Sequence, residues 1–178
     1  NKSRTLQALA PTGVPIPESR YAGNDRNLAA AVRDLGSLPI VVKTAQGRQG
    51  RGVFLAEDPG EVLDLFREHP PDPGGGLVLQ EYIPPEDRLR DIRILVVGAR
   101  VVSAMSLKPR GGDFRANVHL RGRADTLHLT GAMERVALGA AEALGLDIAG
   151  VDVIHRKDNA LLVVDVNYSP GFKGLEGC

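Results

Sequence analysis

The chain is poor in aromatics and nearly devoid of cysteine. Aromatic residues make up 4% of its 178 positions, and none is tryptophan. That scarcity speaks against a nucleic-acid platform on which bases stack. The single cysteine, Cys178, is the last residue, so no disulfide can form within the chain. A reducing compartment is compatible with this, and a cytoplasmic location is expected. Neither sign of charge dominates, since Lys plus Arg and Asp plus Glu number 22 each. No overall basic field draws nucleic acid or anionic lipid, and neither is expected as a partner. Apolar runs fall short of the ~20 residues that span a bilayer. The run "ILVVGARVV" is cut by Gly98 and Arg100. No signal-peptide pattern opens the chain. His69, His119, His128 and His155 are too scattered for a zinc site. There is no G-x-S-x-G elbow, and no Gly-Lys-Ser/Thr closes a phosphate-binding loop.

What is present is ordinary for a globular protein: 43% apolar and 25% charged residues. The length suits one large domain or two small lobes. The chain opens at Asn1 rather than methionine and stops soon after a glycine-rich turn. It is therefore expected to be part of a longer protein, or the ordered part of one.

Periodicity and punctuation predict a mixed α+β chain. "NKSRTLQALA" reads as a short helix that Asn1 would cap and Pro11-Thr12-Gly13 would end. In "NDRNLAAAVRDLGS", Leu28, Ala31, Val32 and Leu35 fall at helical spacing and Gly36 is the stop. "LPIVVKTA" and "GVFLAE" read as strands of a hairpin about the loop "QGRQGRG". "DPGEVLDLFREH" is a helix with Asp58 as cap and Pro59 at its first position. "LVLQEYI", "RDIRILVVG" and "RVVSAMSLK" are strands. "TGAMERVALGAAEALGL" is a helix with one apolar stripe. "DIAGVDVIHR" and "ALLVVDVNY" are strands joined by Lys157-Asp158-Asn159. Two lobes are predicted, 1–82 and 83–178.

Four constellations bear chemistry. In "LLVVDVNYSPG", strand parity puts Asp165 and Asn167 on one face, and Asp152 in "AGVDVI" sits on the neighbouring strand. Two carboxylates and an amide oxygen are a hard ligand set, suited to Mg²⁺ or Mn²⁺ rather than zinc. The alternative is that each acid caps a strand end or a turn amide. In "VVKTAQGRQGRG", Lys43 is followed by Gly47, Gly50 and Gly52, and glycines let backbone N–H groups close on an anion. A plain hairpin turn is the alternative. In "LVLQEYIPPEDRLRDIR", Gln80, Glu81, Tyr82 and Ile83 would connect the lobes and meet an adenine edge. Asp91 and Arg93 share a strand face, either for ribose and phosphate or as a surface ion pair. In "GGDFRANVHLRG", Arg115 and Asn117 alternate among further arginines, which suit phosphate or carboxylate; a solvated basic loop is the alternative.

Taken in order, "NKSRTLQALA", "LPIVVKTAQGRQGRGV", "LVLQEYI", "DIRILVVG", "GDFRANVH", "AGVDVI" and "DVNYSPGFKGLE" resemble the ATP-grasp region of the RimK-type α-L-glutamate ligases, across nearly all of the chain. The resemblance implies the ATP-grasp fold, in which two α+β lobes hold the nucleotide. It implies ATP bound by Lys2, Lys43, Gly47, Gly50, Gly52, Gln80, Glu81, Tyr82, Ile83 and Asp91. Arg93, Arg115 and Asn117 would be catalytic. Asp152, Asp165 and Asn167 would ligate Mg²⁺ or Mn²⁺, two ions in all. The chemistry implied is ADP-forming ligation of glutamate to an acceptor carboxylate through an acyl phosphate. The acceptor would be a protein C-terminus; a small-molecule acceptor and a non-catalytic ATP-binding module are the alternatives. A homo-oligomer is expected. The chain departs from the family in two places. Asp165 stands where the family usually has Glu, and "IPPEDRLRDIR" differs in length and is proline-rich. The family's N-terminal lobe is absent.

Overall fold

A computed structural model of the chain describes residues 2–44, 52–69, 76–108 and 123–171. It divides into two compact units, one formed by Asn1–Leu6 and Pro17–Ile83, the other by Gln7–Ile16 and Pro84–Cys178. Helix α1 spans Lys2–Leu9. Among the described residues no helix is long and apolar enough to cross a membrane.

The first unit holds strands β1 (Ser19–Ala22), β2 (Ile40–Thr44), β3 (Val53–Ala56) and β4 (Leu77–Glu81), with helices α2 (Asp25–Leu35) and α3 (Pro59–Glu68). The strands form one antiparallel sheet in the order β1-β4-β2-β3. Both helices begin at a capping side chain. Asn24 Oδ1 accepts the Asn27 N–H at 3.0 Å. Asp58 Oδ1 accepts from Gly60 and Glu61 at 2.7 and 3.1 Å, while Glu61 Oε2 accepts from the Glu57 N–H at 2.7 Å. The bonds from Asn27, Gly60 and Glu61 satisfy N–H groups that the first helical turn leaves without partners, and the one from Glu57 closes the chain entry onto α3. Leu28, Ala31, Leu35, Val62 and Phe66 of the helices pack on Ile40, Val42, Leu77 and Leu79 of the sheet. By alternation Val41, Lys43, Val78 and Gln80 therefore lie on the opposite face.

The second unit holds β5 (Arg88–Val97), β6 (Arg100–Lys108), β7 (Arg123–Thr126), β8 (Ile148–Arg156), β9 (Leu161–Asn167) and helix α4 (Gly131–Ala143). Its sheet is antiparallel in the order β7-β6-β5-β8-β9. Met133, Ala137, Ala140 and Ala141 of α4 bury Ile92, Ile94, Val96, Ala149, Val151, Val153, Leu161, Val163 and Val166, with Leu9 joining the same cluster. Small alanines on α4 let the helix approach the sheet closely, and β-branched residues fill the sheet side. The other face carries Asp91, Arg93 and Leu95 on β5 and Asp152 and Ile154 on β8.

The register of this sheet slips at three places: between Arg88 and Arg90, Leu95 and Val96, and Asp152 and Val153. At the last, Asp152 pairs Asp165 while the next residue, Val153, pairs Val163. Val164 is thus an extra residue, a β-bulge. Leu161 and Val163 point to α4, as does Val166. Strict alternation from Val163 would have turned Asp165 and Asn167 into that same core. The bulge turns them to the opposite face.

Candidate functional site

The second unit carries the richer set of candidate residues. Asp152 and Asp165 are register partners on β8 and β9, and Asn167 lies opposite Gly150. Asp152, Asp165 and Asn167 are each half-buried. Gly150 gives the turn after β9 its position: a Cβ there would lie 2.7 Å from Pro170 Cβ. Pro170 is buried, so "YSPG" folds back over Gly150 next to Asn167.

Arg93 pairs Asp152 across β5 and β8. Its Nε donates to Oδ1 at 2.7 Å and its Nη2 to Oδ2 at 2.8 Å, a two-pronged charge-assisted contact. Arg93 is 7% exposed. Burial works against its charge, but Asp152, bonded to it, and Asp165 outweigh that effect and hold the guanidinium's pKa above its ordinary value. Asp91 lies on the same face and pairs Arg88, whose Nη1 donates to Oδ1 at 2.9 Å. Burial pushes the Asp91 carboxyl up, Arg88 pulls it down, and the charge of Asp152 pushes it up again. The reading of Asp91 and Arg93 as a surface ion pair is therefore corrected. Each pairs with a different partner, and both pairs are largely removed from water, with side chains 8–18% exposed.

Arg93 thus lies near two carboxylates, with Asn167 alongside on the same face. Two carboxylates and an amide oxygen make an all-oxygen donor set. That chemistry fits a hard divalent cation, with Asp152 shared between it and Arg93. Among the described residues no group of three or more His, Cys, Asp or Glu is gathered as a metal site; the candidate set consists of two acids and an amide. Beside it, Leu95, Met105, Leu107 and Leu162 are buried outside the cluster under α4. Met105 stands opposite Arg93, and Leu107 opposite Asp91. They give the charged row an apolar border.

In the first unit Lys43 is buried on β2, at 8% exposure, between Val53 and Val78. Burying an ammonium is costly unless it is paired or hydrogen-bonded, and Lys43 is not without a partner. Gly52 closes the hairpin: its carbonyl accepts the Thr44 N–H at 2.8 Å. Its φ of 72° is a left-handed conformation that glycine takes without strain. Lys2 opens α1. Gln80 and Glu81 belong to β4 rather than to a connector. Gln80 is buried and donates from Nε2 to Ser19 Oγ at 2.9 Å. Glu81 Oε1 accepts the Glu18 N–H at 3.0 Å. Tyr82 and Ile83 follow the strand, and Ile83 is buried. Gly47, Gly50, Arg115 and Asn117 lie outside the described residues.

Sequence reasoning missed Arg88, Gly150 and the apolar border. The border had a signal, since "RILVV" and "SAMSL" are apolar on both faces, as strands covered on both sides are. Arg88 had none, because a three-residue separation on a regular strand predicts opposite faces.

Comparison with known proteins gives one family match, the RimK-like ATP-grasp domain, over residues 1–177. A protein of Citrobacter koseri named "Probable alpha-L-glutamate ligase" is 40% identical over 179 aligned positions, covering 99% of this chain and 58% of that protein. A Picosynechococcus protein of the same name is 38% identical, with the same coverage. The chain thus spans 58% of the length of these curated relatives. Among solved structures, the ATP-grasp ligase PsnB complexed with minimal precursor, Mg and ADP superposes with a TM-score of 0.72 at 20% identity, over 99% of this chain and 52% of that one. D-alanine–D-alanine ligase from Bacillus anthracis complexed with ATP gives 0.72 at 20% identity, over 96% and 54%. At such identities the likeness is one of fold.

Proposed function

Because the chain belongs to the RimK-like ATP-grasp family, we propose that within the full-length protein it joins glutamate to an acceptor carboxylate at the expense of ATP. The acceptor we favour is a protein C-terminus. Two proteins of this fold, the ATP-grasp ligase PsnB and the macrocyclase MdnC, are bound to precursor peptides, and on that likeness we favour a peptide over a small molecule. What carries the reading is the single sheet face bearing Asp91, Arg93, Asp152, Asp165 and Asn167.

In this reading an oxygen of the acceptor carboxylate attacks the γ-phosphorus of ATP. The bond to the β,γ-bridging oxygen breaks, ADP leaves, and an acyl phosphate forms. The glutamate amine then attacks the acyl carbon; inorganic phosphate leaves and the amine gives up a proton. Lys43, Arg93 and Arg115 would stabilise the charge that moves onto phosphate oxygens, the largest service a site can give this chemistry. Gly47, Gly50 and Gly52 would close backbone N–H groups over the phosphates. Lys2 would add a second ammonium, and Asn117 would help place the transferring group. Gln80, Glu81, Tyr82 and Ile83 would meet the adenine edge. Asp152, Asp165 and Asn167 would hold Mg²⁺, or Mn²⁺, as two ions. When bound, the metal would neutralise phosphate charge and fix its orientation. Arg93 orients Asp152 through both oxygens, so that carboxylate offers its remaining lone pairs in a set direction. A cytoplasmic homo-oligomer remains part of the proposal.

The test is ADP release by full-length protein with glutamate and a panel of acceptor peptides, with hydroxylamine to trap an acyl phosphate as hydroxamate. An acceptor-dependent rise that Asp165→Ala abolishes is expected. No rise with any acceptor, and an Asp165→Ala variant indistinguishable from wild type, would sink the idea.

A further inference from the structure

Arg88 lies on the wrong side of a regular strand. Residues three apart on a β-strand point to opposite faces, yet Arg88 Nη1 donates to Asp91 Oδ1 at 2.9 Å. The reason is the register slip between Arg88 and Arg90. Arg90 pairs His155, while Arg88 pairs Arg156, so Leu89 is an extra residue. That bulge turns Arg88 from the α4 side to the face that carries Asp91, Arg93 and Asp152. Like charges opposite each other, as Arg88 and Arg156 are, disfavour a register. Here Arg156 is drawn away by Asp158, with Nη2 to Oδ2 at 2.8 Å, and Arg88 by Asp91.

The Arg88 and Asp91 side chains are 8% and 17% exposed. A pair so enclosed is not a solvated surface contact, and its geometry is set by packing. Among the described residues the Asp91 carboxylate bonds only Arg88, and only through Oδ1. Arg93, two residues along on the same face, is committed to Asp152 through both prongs. One oxygen of Asp91 is thus anchored, while the other bonds no described residue and can accept from an incoming hydroxyl. An ionised, oriented acceptor makes a stronger hydrogen bond to a hydroxyl than a neutral one does.

We propose that Arg88 is a positioning residue for nucleotide ribose: the Leu89 bulge delivers it to the site face, where it fixes the carboxylate that takes a ribose hydroxyl. This rests on the reading of the face as a nucleotide site. It adds a residue that neither the sequence motifs nor the family resemblance singled out.

The test is calorimetric titration of full-length protein with Mg·ADP and with its 2′-deoxy and 3′-deoxy analogues. Wild type should prefer ADP over one analogue by about tenfold or more, as expected for a hydrogen bond to a charged acceptor. Asp91→Asn should abolish that preference. Arg88→Gln should cut it to about threefold or less, chiefly by weakening ADP. Arg88→Lys, which keeps one N–H donor, should recover part of it. Arg88→Met keeps the buried stem and takes the place of Arg88→Gln if that variant does not fold. If Arg88→Gln retains the wild-type ratio while Asp91→Asn loses it, Arg88 does not position the acceptor. Equal weakening of all three ligands shows a merely structural role and likewise overturns the proposal. A wild type that binds all three equally removes the ribose role of Asp91, and the inference with it. A wild type that binds none of them removes the nucleotide reading itself.

Discussion

Adding one methyl group at Gly150 should cost more than its size suggests. A Cβ there would stand 2.7 Å from Pro170 Cβ, whereas carbon–carbon contacts settle at about 3.5–4.0 Å. The deficit of roughly 1 Å cannot be relieved by a rotamer change, because the proline ring is tied to the backbone. Either the "YSPG" turn lifts or β8 shifts. Overpacking of this kind costs about 1–3 kcal/mol, and thermal melts of full-length Gly150→Ala should show it as a transition several degrees lower. The clash has a named partner, so a cycle isolates it. Pro170→Gly removes the opposing Cβ, and in that background Gly150→Ala should cost no more than a few tenths of a kcal/mol. Asn167 is the register partner of Gly150, so the single variant should also bind Mn²⁺ more weakly, while Pro170→Gly restores part of the affinity. A Gly150→Ala protein that melts with wild type, or an equal penalty in both backgrounds, would refute the reasoning.

Other predictions concern the charged row. Asp152→Asn strips a buried guanidinium of its partner and should cost about 3 kcal/mol in urea unfolding, at the low end for a broken buried pair because Asp152 keeps some exposure. Arg93→Met with Asp152→Leu should return to within about 1 kcal/mol of wild type while losing nucleotide-dependent activity. A single variant as stable as wild type would show that the pair is unimportant to the fold. A pH effect follows from Asp91, which burial already raises above its ordinary value with Arg88 pulling against it; in Arg88→Gln that pull is lost and the pKa climbs further. A carboxyl with a folded pKa above its unfolded one binds more protons when folded, so stability falls as pH rises through the folded value. Arg88→Gln should therefore lie nearest wild type at about pH 4 and furthest behind it at about pH 7, and a gap constant with pH in thermal melts would contradict this. Finally, Asp165→Glu should tighten Mn²⁺ binding by a fewfold if the shorter acid limits a two-oxygen grip, and unchanged affinity in calorimetry would dismiss that limit.

The α+β fold and the ATP-grasp architecture were legible because each element announces itself locally. Asn24 and Asp58 cap helices at their predicted starts, and β-branched runs became the strands that α4 covers. Parity correctly put Asp165 and Asn167 on one face, since only Val166 separates them. What stayed hidden depends on where alternation stops. Leu89, Val102 and Val164 are the extra residues at the three register slips, and nothing in their side chains distinguishes them from regular strand positions. Pairing partners are likewise long-range: Arg93 meets Asp152 59 residues along the chain. Sequence spacing suggested that Arg93 pairs with its neighbour Asp91, while the sheet assigns each a different partner.

The bulge at Val164 has a consequence for how this protein tolerates change. β9 runs in two phases: up to Val163 the odd-numbered residues belong to the core, and from Asp165 the even-numbered ones do. Val164 is the phase slip between them, and it separates a stretch tuned for packing from one tuned for chemistry. Substitutions on either side leave the phase alone and are felt one contact at a time. Loss of Val164 would set Val163 beside Asp165 in a regular strand, with the acid and the amide still on the site face; keeping Val164 under strict alternation is what would aim them at the alanines of α4. Parity, more than composition, is the guarded quantity here: the face of Asp165 depends on how the chain steps from Val163 to it, not on which apolar side chains fill the strand.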